Sequence, residues 1–167
     1  MRRLFLVSVI SLFGISLFGQ EFQVPTDYSL VKAEDYAVYE QDVINGINWL
    51  ANTPINQDVE KRKKVNAFLM KWMIGSPTVD IEIDAKVVNF LPNPDLLMAF
   101  LCGWTKYSLE TKDFSNKING NVAGVENVIF VYNKNKKVIG TNKAVEKYIK
   151  LQSEGKLKNE IAKKVGR

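Results

Sequence analysis

The sequence predicts an all-α protein: a compact bundle of about six helices around a central apolar helix at 94–110, with one short extended segment at 78–83. Three observations carry this. Asn93-Pro94-Asp95 opens a helix with a capping side chain, a proline suited to the first turn and an acid at the positive end of the dipole. The nine residues from Leu96 to Trp104 include none that is charged or strongly polar, so apolar side chains point all round the axis. Such a helix lies inside protein or lipid, and it is too short for a bilayer, which takes about 20 residues. Amphipathic stripes on both sides of it supply the packing partners.

The first residues carry a targeting pattern. Arg2 and Arg3 precede an apolar run from Leu4 to Phe18, and Gly19 is a small residue at a cleavage position. Residues 1–19 are therefore expected to be a secretory signal peptide, with a retained membrane anchor as the alternative. The chain is expected to be exported, to the periplasm or beyond, with no transmembrane span once the signal is removed. Residues 20–32 contain Pro25 and no helical period, which predicts an extended arm; residues 33–167 read as a single helical domain.

Helix A is expected from Ala33 to Asn52, with Tyr36, Tyr39, Val43, Ile47 and Leu50 as its stripe and Trp49 nearly opposite. Thr53-Pro54 interrupts the chain, and Asn56 is expected to cap helix B, which ends at Gly75 before Ser76-Pro77. Val65, Phe68, Leu69, Trp72 and Met73 form its stripe, and the run Lys61-Arg62-Lys63-Lys64 is expected to be a solvated face. Val79, Ile81 and Ile83 alternate with Asp80, Glu82 and Asp84, which makes the extended segment. A short helix is expected over Ala85–Leu91, capped by Asp84 and ended by Pro92.

After the central helix, a helix is expected from Phe114 or Ser115 to about Asn133, with the stripe Ile118, Val122, Val125, Ile129 and Tyr132. Gly120 and Gly124 lie on its other side. Each costs a helix about 1 kcal/mol against Ala, so a second helix is expected to pack closely there. Lys134–Thr141 reads as a basic loop. Asn142 is expected to cap a helix to about Glu154, and Leu157, Ile161 and Val165 mark a last short helix.

Composition narrows the chemistry. The chain has no histidine, which removes His general bases, Ser-His-Asp and Cys-His nucleophile systems and His-containing zinc sites. Cys102 is the one cysteine, so no internal disulfide staples the fold, and within the apolar run it acts as a small hydrophobe. Residues 112–167 hold 13 Lys or Arg against 5 Asp or Glu, a net of +8, whereas residues 20–111 hold 8 against 13, a net of −5. The two halves can neutralise each other, or the basic part can form a face for an anionic partner such as a membrane surface or polysaccharide. Nucleic acid is not expected, because basic and aromatic residues do not interleave.

The candidate binding residues are Trp49, Trp104, Lys106 and Tyr107. Trp49 sits off its stripe, and Trp104 to Tyr107 is where the central helix passes from apolar to polar. No metal or other cofactor is expected. Asp80, Glu82 and Asp84, which share a face in an extended chain, are the nearest thing to a hard-cation site. An EF-hand loop counted from Asp80 fails, since Ala85 takes the glycine position and Leu91 that of the bidentate Glu. Glu40, Asp42 and Glu110 are the acids considered for a carboxylate-pair hydrolase.

The segments from Asp42 to Trp49, Asn66 to Trp72, Gly75 to Val79 and Asn93 to Tyr107, in that order, resemble a family of small exported all-helical bacterial proteins with no assigned activity. The resemblance covers most of the chain after the signal and implies an all-helical exported protein without catalytic residues to carry over. Val87-Val88-Asn89-Phe90-Leu91 before Asn93-Pro94 is also similar to small periplasmic immunity proteins, which use paired cysteines where this chain has Cys102 alone. The expected function is a non-catalytic exported module that binds a protein or envelope component. The alternatives are a carboxylate-dependent glycan or peptidoglycan hydrolase and an immunity-type inhibitor.

Overall fold

The structure, a computed structural model, describes residues 22–91 and 93–166. The signal peptide expected at 1–19 and the helix-ending role expected of Pro92 lie outside the described residues. The fold is all-α, with seven helices among the described residues: α1 Ala33–Val38, α2 Glu40–Asn52, α3 Val59–Gly75, α4 Pro94–Thr111, α5 Lys117–Ile139, α6 Lys143–Ser153 and α7 Leu157–Val165.

The apolar helix α4 is central because two cores need it. Leu96, Ala99, Phe100 and Trp104 join α5, α6, α7 and the loop at 85–91 in one buried cluster. Met98, Cys102 and Leu109 join α2, α3 and the N-terminal arm in the other. One helix can feed both only if it is apolar all round, which is what its sequence provides. Asn93 caps it as expected, its side-chain oxygen accepting from the N–H groups of Asp95 (3.0 Å) and Leu96 (3.1 Å).

The most extensive helix–helix contact is between α4 and α5, and glycines make it close. A Cβ on Gly124 would lie 2.6 Å from two carbons of the Phe100 ring, and one on Gly103 would lie 2.5 Å from the Ala123 carbonyl oxygen. The expectation that Gly120 and Gly124 admit a second helix is met, with α4 as that helix. The N-terminal arm packs against α3 and the α1–α2 junction: the Tyr28 ring meets Phe68 edge-on at 5.0 Å and Tyr39 at 6.1 Å.

The structure corrects several boundaries, and each departure has a hydrogen-bonding cause. Helix A is two helices, broken at Tyr39. The Tyr36 carbonyl takes the Trp72 indole N–H at 2.9 Å, and the chain closes with a tighter Tyr39 N–H to Tyr36 carbonyl bond at 3.2 Å. Helix α3 starts at Val59 after Asp58 in left-handed conformation (φ 47°), not after an Asn56 cap. Residues 53–55 are held instead by side chains of α3 and α5: Arg62 Nη2 donates to the carbonyls of Thr53 (2.6 Å) and Pro54 (3.1 Å), and Asn135 Oδ1 accepts from Ile55 N–H (2.9 Å). Arg62 is accordingly buried, whereas Lys63 and Lys64 are exposed as expected of the basic run.

The helix expected at 85–91 is a series of turns. Its carbonyls serve side chains of later helices rather than a helical ladder: Lys86 accepts from Lys164 Nζ (2.8 Å), Val87 from Tyr148 Oη (2.7 Å) and Phe90 from Asn142 Nδ2 (3.3 Å). The extended segment expected at 78–83 is in neither helix nor strand. Helix α5 begins after an Asn116 cap and runs on through the residues expected as a basic loop, to Ile139. Lys136 and Lys137 occupy its last turn, at the negative end of the dipole, and Gly140 (φ 78°) ends it.

Candidate functional site

The polar end of α4 opens onto a surface groove of about 340 Å³ between α4 and α5. Lys106, Tyr107 and Glu110 line it from α4, and Glu126, Asn127 and Phe130 from α5. Gly103 at its base lets the two backbones approach, and Asn127 Nδ2 donates across the interface to the Ala99 carbonyl at 2.7 Å. The groove is thus built on two helices in close and extensive contact, a platform for recognition that does not rest on loops.

Its side chains are held in place. Lys106 Nζ donates to Asn48 Oδ1 of α2 at 2.7 Å and lies 3.7 Å from Glu110 Oε1. Tyr107 Oη donates to Asp113 Oδ2 at 2.5 Å and accepts from Asn119 Nδ2 at 3.1 Å. The phenol oxygen is committed to the protein. Phe130, by contrast, is 44% exposed, with Lys134 Nζ 4.6 Å from the centre of its ring. An exposed aromatic beside tethered charges has the chemical character of an interface anchor with a polar rim.

The structure brings Lys106 and Tyr107 to this groove and leaves Trp104 and Trp49 outside its lining. Trp104 is buried, its ring against Gly120 and edge-on to Phe100 at 6.0 Å. Trp49 is half-buried on α2, with Lys61 Nζ at 5.0 Å and Arg62 Cζ at 5.7 Å over its ring. Phe130 and Glu126 were missed by the sequence reading. Phe130 stands next to Ile129 and therefore off the stripe of α5, the same off-stripe signal that singled out Trp49.

Asp80, Glu82 and Asp84 are drawn to separate tasks. Glu82 pairs with Lys117, the Asp84 carboxylate accepts from Lys86 N–H at 2.8 Å, and Asp80 is exposed. Among the described residues, no group of three or more His, Cys, Asp or Glu is placed to hold a metal ion. Of the hydrolase candidates, Glu40 pairs with Lys112 at 2.7 Å and Glu110 sits exposed on the groove rim. Cys102 is buried beneath the surface, where desolvation pushes its thiol up to about 12. At neutral pH it is a packed thiol and not a thiolate nucleophile.

Among the described residues, no helix is long and apolar enough to cross a membrane. No family model matches the chain, and no curated protein or solved structure matches it either.

Proposed function

We propose that the chain is an exported, non-catalytic helical module that binds a protein or envelope component in the groove between α4 and α5. The observation that carries this reading is Phe130, an aromatic left 44% exposed beside the tethered Lys106 and Tyr107 on the closely apposed α4 and α5. A large apolar side chain at the edge of a rigid groove contributes most to stability when a partner covers it. The hydrolase alternative draws less support. An acid that must stay protonated needs burial or a like-charged neighbour, and Glu110 and Glu126 are both exposed.

The test is a titrated pull-down with the full chain against solubilised envelope fractions, repeated with Lys106→Glu and Phe130→Ala. A saturable partner that both variants lose is the expected result. A fraction with no saturable partner, or a partner retained by both variants, removes the reading.

A further inference from the structure

The outer side of α6 carries a second surface, separate from the groove. Lys143, Lys147 and Lys150 fall at i, i+4 and i+7, which places them within about 60° of one another and along about 10 Å of axis. All three are exposed, and the opposite side of the helix buries Val145 and Tyr148. The neighbouring acids are engaged. Glu146 accepts from Tyr132 Oη at 2.7 Å and pairs with Lys136 at 2.5 Å; Glu154 pairs with Lys156 at 2.8 Å and lies 3.9 Å from Lys150. Among the described residues, Lys143 and Lys147 have no carboxylate within ion-pair distance. The adjoining end of α5 adds exposed Lys137.

We propose that this lysine face of α6 seats the protein on an anionic lipid surface. Charge complementarity selects a polyanion, and the shape of the face selects among polyanions. The lysines stand on the convex side of one rigid helix. The one aromatic of α6, Tyr148, is 1% exposed with its hydroxyl bonded to Val87, so no ring is available to stack on a sugar or base. A convex row of flexible cations without a concavity suits a plane of phosphate headgroups, to which exposed lysines contribute individually.

The experiment is sedimentation of the full chain with vesicles of phosphatidylcholine containing 30% phosphatidylglycerol, beside pure phosphatidylcholine vesicles. Binding is expected to the anionic vesicles alone and to weaken steeply between low and high salt, as screening shortens the reach of the charges. The triple variant Lys143→Gln, Lys147→Gln, Lys150→Gln is expected to lose about 100-fold in affinity, about fivefold per lysine. The triple Lys32→Gln, Lys63→Gln, Lys64→Gln makes the same change in net charge elsewhere and is expected to lose less than threefold. Equal losses in the two triples, equal binding to neutral vesicles or salt-independent binding overturns the proposal. So does tight binding to a soluble anionic polysaccharide with no binding to vesicles. None of these readouts involves the groove, so failure here leaves the proposed function standing, and the reverse holds too.

Discussion

Gly103→Ala tests the close approach of α4 and α5 directly. The new methyl carbon would lie 2.5 Å from the Ala123 carbonyl oxygen, 2.7 Å from Asn127 Cβ and 3.0 Å from Gly124 Cα. Two of these neighbours are backbone, so no side-chain rotation relieves the clash, and the helices must separate by the better part of an ångström. Overpacking of this kind costs about 1–3 kcal/mol, against which the higher helix propensity of alanine returns about 1 kcal/mol. The two leave a net loss of about 0–2 kcal/mol, and the upper part of that range, about 1–2 kcal/mol, is expected because backbone atoms make the clash. For a chain of this size that lowers Tm by about 2–8 °C. Gly46→Ala is the control: its methyl would meet a single ring, Phe22, at 3.2 and 3.3 Å, and Leu69 at 3.4 Å. That ring can give by the few tenths required, so Tm is expected to stay level or rise. Thermal unfolding followed by circular dichroism reads both variants. A Gly103→Ala protein as stable as the parent, or shifted no more than Gly46→Ala, refutes the claim that backbone proximity fixes this pair.

Three further outcomes follow from individual contacts. Asn142→Ala removes the oxygen that accepts from Ala144 and Val145 N–H (3.1 and 3.2 Å) and the Nδ2 bond to Phe90, and is expected to cost about 1–2 kcal/mol. Asn142→Asp keeps the cap and is expected to lose less, and chemical denaturation compares the two. Tyr148→Phe leaves the Val87 carbonyl and Lys164 Nζ without the hydroxyl they share (2.7 and 2.9 Å), for an expected loss of about 1–3 kcal/mol by the same assay. Cys102 is expected to resist a thiol reagent at pH 8 in the folded protein and to react fully in denaturant. Its folded pKa of about 12 lies above that of an unfolded thiol, about 8.5. The unfolded chain therefore releases the proton first, and stability falls as pH rises from about 9 towards 12, a slope that Cys102→Ala is expected to reduce.

How much of this was legible in the sequence depends on where each backbone group finds its partner. The uninterrupted apolar run of α4 announced a helix buried on all sides, and its split between two cores is the geometric consequence. Gly120 and Gly124 announced a close neighbour because glycine in a helix interior otherwise only destabilises it. The break at Tyr39, the turns at 85–91 and the start of α3 were not legible. In each, a backbone group is claimed by a side chain far along the chain: Trp72 for the Tyr36 carbonyl, Tyr148 for the Val87 carbonyl, Asn135 for the Ile55 N–H. Local periodicity carries no trace of such bonds. The continuation of α5 through Lys134–Ile139 was hidden for a related reason. Its lysine-rich run looks like a loop by composition, whereas Asn135, buried and bonded to Val131 and Ile55, anchors it as helix. The site divided the same way. Lys106 and Tyr107 are legible from the apolar-to-polar change in α4, Trp104 is drawn inward by the space Gly120 leaves, and Phe130 is hidden because an apolar residue in a stretch this apolar does not announce its exposure.

The central claim is that a partner covers the α4–α5 groove. Site-specific photo-crosslinking is the most direct measurement: a photoreactive residue is placed at Phe130 and, in a separate control, at the exposed Lys158 of α7, and both are irradiated with envelope preparations. One saturable adduct is expected from position 130, absent from position 158 and abolished by Lys106→Glu. No adduct from position 130, or the same adducts from both positions, contradicts it.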